Sequence, residues 1–263
     1  MSEQKNISYL DKNNKNFDPK KHLLDMYWPA IKDSCPVFVF IHGGTWISGS
    51  KDLYSILGNN LALKGITTAI INYRLGDKAR YDEMAADCAA AIGWLTENIL
   101  KYNGNKNRII VCGHSAGAHL GALISLDPTY FEGLKMSNPV KACILIDAFG
   151  LNMEGFIQSS LAMAFMSSIE KVFTNDKSEW KKASPVTHIQ KRTLAFYIVT
   201  GADSYPFVLL DNDTFVSKLI LTKSYVKYEK ISGRNHSAMI TQLQDFNNSL
   251  YDKMIQFIVE NVK

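Results

Sequence analysis

The run Ile109-Ile110-Val111-Cys112-Gly113-His114-Ser115-Ala116-Gly117-Ala118-His119-Leu120 decides how the rest of the chain is read. Its first four residues are apolar and mostly β-branched, as in a strand covered on both faces. From Ala116 to Leu126 the residues are small or apolar and suit a helix. Where a strand turns directly into a helix, side chains beside the turning residue collide, so small neighbours are needed on both sides. Gly113-x-Ser115-x-Gly117 at such a junction predicts a strained elbow that presents Ser115 as a nucleophile.

Outward from the elbow, short apolar runs alternate with longer amphipathic stretches. Val37 to Ile41, Thr67 to Asn72, Ile109 to Cys112, Ala142 to Ile146, Leu194 to Val199 and Tyr225 to Ile231 read as strands, and His22 to Trp28 as an antiparallel edge strand. Helices are expected over Leu53–Lys64, Glu83–Tyr102, Ala116–Leu126, Asp213–Leu221 and Phe246–Asn261. In the second of these, Cys88, Ile92, Leu95 and Ile99 recur at three- and four-residue intervals and form one apolar stripe. This alternation predicts a mostly parallel central sheet with helices on both faces, in one domain spanning 22–263. Residues 1–21 are rich in Lys, Asn and Asp and are expected to be loosely held. Residues 151–185 hold no strand. Phe156, Leu161, Met163, Phe165, Met166 and Ile169 there suit either an extra packed helix or a small cap insertion over the site.

A base and an acid are needed to activate Ser115. His236 lies in a loop after the last strand, where a sheet's carboxyl edge presents residues, and is read as the base. Asp203 follows the strand Leu194–Val199 and is favoured as the acid. Asp147 competes, because it ends the preceding strand, whereas Asp211 and Asp213 are expected to cap a helix. His42-Gly43-Gly44-Thr45-Trp46 ends the strand Val37–Ile41. Its glycines let backbone N–H groups approach a reacting oxygen, so Gly44, Thr45 and Ala116 are the candidate oxyanion donors. Trp46, Met153 and Phe156 are the candidate substrate-binding residues.

The chain has 263 residues, 46% of them hydrophobic and 21% charged, with a net charge of +4. The basic residues are scattered, which argues against a nucleic-acid partner. No apolar run reaches the ~18–20 residues of a membrane span, and no signal-peptide pattern opens the chain. Cys112 and Cys143 lie in buried-strand runs, and buried thiols suit a cytoplasmic location. Neither metal-ligand spacing nor a nucleotide-binding motif is present, so no metal and no cofactor is expected.

The His42–Trp46 loop, Ser50-Lys51-Asp52 and the run Cys112 to Leu120 resemble the kynurenine formamidases (arylformamidases) and the hormone-sensitive-lipase-like carboxylesterases. Asp203-Ser204 and His236 fall where the formamidases carry acid and base. Leu24-Asp25-Met26-Tyr27, Asn72-Tyr73-Arg74-Leu75 and Ala183-Ser184-Pro185-Val186-Thr187-His188 are similar to general carboxylesterases. The resemblance implies an α/β-hydrolase fold, a Ser-His-Asp triad and a small-molecule ester or formamide substrate. The fold also hosts non-catalytic ligand-binding proteins, which usually lack a triad member. Substrate identity and oligomeric state do not follow from these residues.

Overall fold

The computed structural model describes residues 1–30, 33–191 and 193–262, and the side chain of Leu161 lies outside that description. Eight strands form a single sheet: β1 (Ser2–Ser8), β2 (Leu23–Trp28), β3 (Cys35–Ile41), β4 (Thr67–Ile71), β5 (Gly104–His114), β6 (Val140–Ile146), β7 (Ala195–Gly201) and β8 (Val226–Ile231). Their spatial order is β1-β2-β4-β3-β5-β6-β7-β8. The two pairings of β2 are antiparallel, and all the others are parallel.

The helices are α1 (Ser55–Leu63), α2 (Tyr81–Asn98), α3 (Ala116–Leu126), α4 (Thr129–Glu132), α5 (Met153–Ile157), α6 (Met166–Val172), α7 (Lys177–Lys182), α8 (Pro206–Leu221), α9 (His236–Thr241) and α10 (Ser249–Asn261). Period-two alternation sorts each central strand between two apolar layers. Val37, Val39 and Ile41 join Ile109, Val111 and Leu145 in the layer shared with α2 and α3. Phe38, Phe40, Ile110 and Ile144 face the opposite way, against Leu57 and Leu61 of α1 and Met254 and Phe257 of α10. Burial on both faces explains why these strands read as continuous apolar runs.

The N-terminus departs from expectation. Ser2–Ser8 is an ordered edge strand with Ile7 opposite Leu24, so β2 is not the edge of the sheet. An edge strand bonds through its backbone and keeps polar side chains in water, which is why its composition resembles a loop. It is also tied down from inside: the buried Lys51 Nζ lies 2.9 Å from Asp25 and donates to Asn6 Oδ1 at 2.7 Å.

Helix α8 begins at Pro206, well before Asp213, because proline at a first helical position supplies a preset φ. Asp211 and Asp213 therefore lie within the helix and cap nothing at its start. Asp213 instead accepts from the Tyr228 hydroxyl at 2.7 Å. The insertion 151–185 folds as α5, a 3-10 turn, α6 and α7, with no strand. Cys112 and Cys143 are buried thiols, and burial pushes Cys143 up to about 12. Among the described residues no helix is long and apolar enough to cross a membrane.

Candidate active site

The elbow forms where β5 ends and α3 begins. Ser115 sits at φ 56°, ψ −124°, a conformation costly for a side-chain-bearing residue. The flanking glycines show what holds it there. A Cβ on Gly117 would lie 2.1 Å from the Ile41 carbonyl oxygen, and one on Gly113 would lie 2.3 Å from Gly117 backbone atoms. The Ser115 N–H donates to the Ile146 carbonyl at 3.1 Å, which fastens the elbow to the end of β6.

Asn235 caps α9 by accepting from the Ala238 N–H, and His236 follows it as the first residue of that helix. His236 Nε2 lies 2.9 Å from Ser115 Oγ. Its other nitrogen, Nδ1, donates to Asp147 Oδ2 at 2.5 Å. The carboxylate beside His236 is thus Asp147, fully buried at the end of β6. Asp203 is exposed, and its backbone N–H is spent on the Arg234 carbonyl. The expectation that Asp203 partners His236 is therefore corrected. The loop after β7 turns Asp203 into solvent and sends its neighbour Ser204 inward, where Ser204 Oγ donates to Asp147 Oδ2 at 2.5 Å. Asp147 Oδ1 accepts from the Gly201 N–H at 2.8 Å. Burial alone would raise the Asp147 carboxyl, but the bonds from His236, Ser204 and Gly201 outweigh it and hold the group below its usual range.

The loop after β3 passes close to the serine: a Cβ on Gly43 would lie 3.2 Å from Ser115 Cβ. Gly44, Thr45 and Trp46 all adopt positive φ, at 125°, 49° and 61°. The Gly44 carbonyl accepts from Ile47 and Ser48, closing the turn. Among the described residues, the backbone N–H groups of Gly44, Thr45 and Ala116 find no protein acceptor. Two buried histidines brace the surroundings. His114 Nε2 donates to the His236 carbonyl at 3.1 Å, and burial, with the neighbouring His236, lowers its pKa to about 3. His42 Nδ1 donates to the Gly43 carbonyl at 2.8 Å, and burial lowers its pKa to about 4.

A sheet of this order, with a serine elbow after β5 and a histidine after β8, is the α/β-hydrolase arrangement. Residues 24–213 match BD-FAE. The chain belongs to the BD-FAE family. It is 28% identical over 255 residues to a probable isoprenylcysteine alpha-carbonyl methylesterase of Oryza sativa subsp. japonica, covering 92% of this chain and 61% of that protein. It is also 22% identical over 237 residues to the kynurenine formamidase of Danio rerio, covering 89% and 77%. Thus the chain spans about three fifths of the rice relative's length. Among solved structures, a truncated carbohydrate esterase from gut microbiota superposes with a TM-score of 0.83 at 20% identity, covering 100% of this chain and 96% of that one. A propionate-bound esterase of Thermogutta terrifontis gives 0.76 at 21%, covering 97% and 93%. At these identities the structural likeness speaks for the fold.

In this BD-FAE member the expected substrate-binding residues divide. Trp46 and Met153 are buried, with no surface exposed to a substrate, which corrects both assignments. Trp46 packs edge-on against Phe173 and donates from Nε1 to His119 Nδ1 at 3.1 Å. His119 Nε2 in turn donates to the Ala183 carbonyl at 2.7 Å. The tryptophan therefore clamps the Gly44 loop to the insertion instead of flanking a substrate. Phe156 does line a cavity. Tyr205 and Phe207 were not anticipated. Their rings stack at 6°, and Tyr205 lies 5.4 Å from the His236 ring. A flat Tyr-Pro-Phe corner opening a helix was the available signal.

Proposed function

We propose that the chain is a serine carboxylic-ester hydrolase that works through an acyl-enzyme on Ser115, with His236 as base and Asp147 as acid. The observation that carries this reading is the continuous line Ser115 Oγ, His236 Nε2, His236 Nδ1, Asp147 Oδ2, at 2.9 and 2.5 Å. With Nδ1 donating to the carboxylate, Nε2 is left as the lone-pair nitrogen facing the hydroxyl, the tautomer a general base requires.

Ser115 Oγ attacks the ester carbonyl while its proton passes to His236 Nε2. The oxyanion of the tetrahedral intermediate is met by N–H groups of Gly44, Thr45 and Ala116, whose positions are fixed before the reaction starts. Collapse expels the alcohol, which takes the proton from Nε2. Water then repeats the sequence on the acyl-enzyme and releases the acid. Asp147 stays ionised throughout and stabilises the imidazolium.

Esterase names among the sequence relatives support an ester substrate. An aryl formamide is the second reading, favoured by the half-exposed Tyr205 ring beside His236, which suits a flat leaving amine. A fluorophosphonate probe should label Ser115, and Ser115→Ala should lower kcat on 4-nitrophenyl acetate by ~10⁴–10⁶. Near-normal turnover by a folded Ser115→Ala protein refutes the mechanism. For the formamide reading, kcat/KM for N-formylkynurenine must exceed that for the best simple ester by more than ~10-fold.

A further inference from the structure

Next to the Tyr205–Phe207 stack lies a cavity of about 210 Å³ whose lining includes Asn152, Phe156, Phe207, Leu210, Asp211 and Thr214. It does not include Ser115 or His236, but Phe207 belongs to both its wall and the stack that reaches the His236 ring. In the proposed mechanism His236 Nε2 returns the proton to the departing alcohol, so a cavity reached from His236 through this stack lies where the leaving group would extend.

The wall is aromatic. Phe156 and Phe207 lie 5.2 Å apart, backed by Phe149 and Phe165. Among the described lining residues, Asp211 is the one that ionises. Its Oδ2 accepts from the Gly150 N–H at 3.0 Å and the Leu151 N–H at 2.7 Å. It forms no ion pair among the described residues, and burial pushes it up to about 7 despite these N–H donors. The Gly150, Leu151 and Asn152 N–H groups all meet this carboxyl, and the one oxygen that Gly150 and Leu151 share is an acceptor an amide also supplies. A carboxylate here costs desolvation that these N–H groups only partly offset. Phenyl rings beside a carboxylate that has no cationic partner among the described residues form an environment that favours a cation.

We infer that this cavity is a subsite for a positively charged ammonium group carried on the alcohol portion of the ester, held by Asp211 and the Phe156 and Phe207 rings. This rests on the serine-esterase reading and names the substrate class of the same site. An anionic leaving group is disfavoured by the same carboxylate.

The test compares acetate esters of ω-trimethylammonio alcohols of increasing spacer length with their neutral tert-butyl isosteres. The expected result is that, at one spacer length or more, the ammonium ester has a kcat/KM about tenfold above its isostere. That ratio should fall towards one in Asp211→Asn, which keeps an acceptor for Gly150 and Leu151. It should also fall in Thr214→Lys, where the new ammonium sits three residues along α8 and pairs with Asp211 in place of the substrate. A ratio near one at every spacer length, or a preference that both variants retain, overturns the inference. If the wild-type protein cleaves 4-nitrophenyl acetate but neither of these esters at any spacer length, the subsite inference is overturned; if it cleaves none of the three, the esterase reading fails and the subsite is decided by binding alone. Butyltrimethylammonium should then bind saturably to Ser115→Ala protein and more weakly when Thr214→Lys is added; absence of binding overturns the subsite.

Discussion

Replacing Asp147 by Asn tests the proposed acid, the carboxylate beside His236, against Asp203, which the sequence favours. The amide oxygen can still accept the Gly201 N–H that now bonds Oδ1 at 2.8 Å, so the strand end keeps its anchor. The amide nitrogen then faces His236 Nδ1, donor against donor. The imidazole relieves this by moving its proton to Nε2, which turns an N–H towards Ser115 Oγ where a lone pair is needed. Loss of the productive tautomer costs ~10³–10⁴ in kcat, or about 4–5.5 kcal/mol of barrier. Asp203→Asn changes an exposed side chain and should stay within about twofold. Both are measured as kcat on 4-nitrophenyl acetate, with circular dichroism to establish folding. A thousandfold loss in Asp203→Asn with less than tenfold in Asp147→Asn refutes the reasoning. The Ser204 contact adds a second arm. Since Ser204 Oγ already touches Asp147 Oδ2, exchanging the two residues as Asp147→Ser with Ser204→Asp should recover at least tenfold of the activity lost in Asp147→Ser alone.

The elbow geometry predicts that Gly117→Ala, which drives a Cβ to 2.1 Å from backbone of β3, destabilises the fold by ~3 kcal/mol or more, read from urea unfolding; a loss below ~1 kcal/mol contradicts the packing described. Stability should also fall on mild acidification. His42, His114 and His119 are held neutral by burial, with pKa values lowered to about 4, 3 and 4. A depressed folded pKa means that the unfolded chain binds the protons first, so stability is full above ~6.5 and declines as pH falls from there towards 4. Near pH 5 unfolding should take up about two to three protons from these groups, seen as a falling unfolding midpoint; a flat profile between pH 7 and 5 contradicts it.

The parts of this fold that were legible in the sequence are those where one residue type alone fits. Gly113 and Gly117 are legible because any side chain collides, and Val37 to Ile41 because both of its faces are covered. The edge strand Ser2–Ser8 was misread since an edge strand is stabilised by backbone bonds that composition does not report. Trp46 and Met153 looked like pocket residues because large apolar side chains near a reactive centre can either line a cavity or brace the loops around it. Periodicity does not distinguish the two. The acid poses a different problem. Asp147 and Asp203 each follow an apolar strand, and β6 and β7 are neighbours, so either loop can reach the space beside His236. What decides is the rotation of the β7 loop. With Ser204 facing inward, its hydroxyl fills one position on Asp147 Oδ2 and leaves Asp203 in water. That choice depends on a one-residue phase at the end of a strand. A buried carboxylate needs several donors converging on it to remain ionised, and Asp147 has three: His236 Nδ1, Ser204 Oγ and the Gly201 N–H. Two of these donors come from the end of β7 and the loop after it, so that segment still serves the proposed acid although it does not carry it. The cluster brings together residues 147, 201, 204 and 236, and only the folded chain makes that convergence visible.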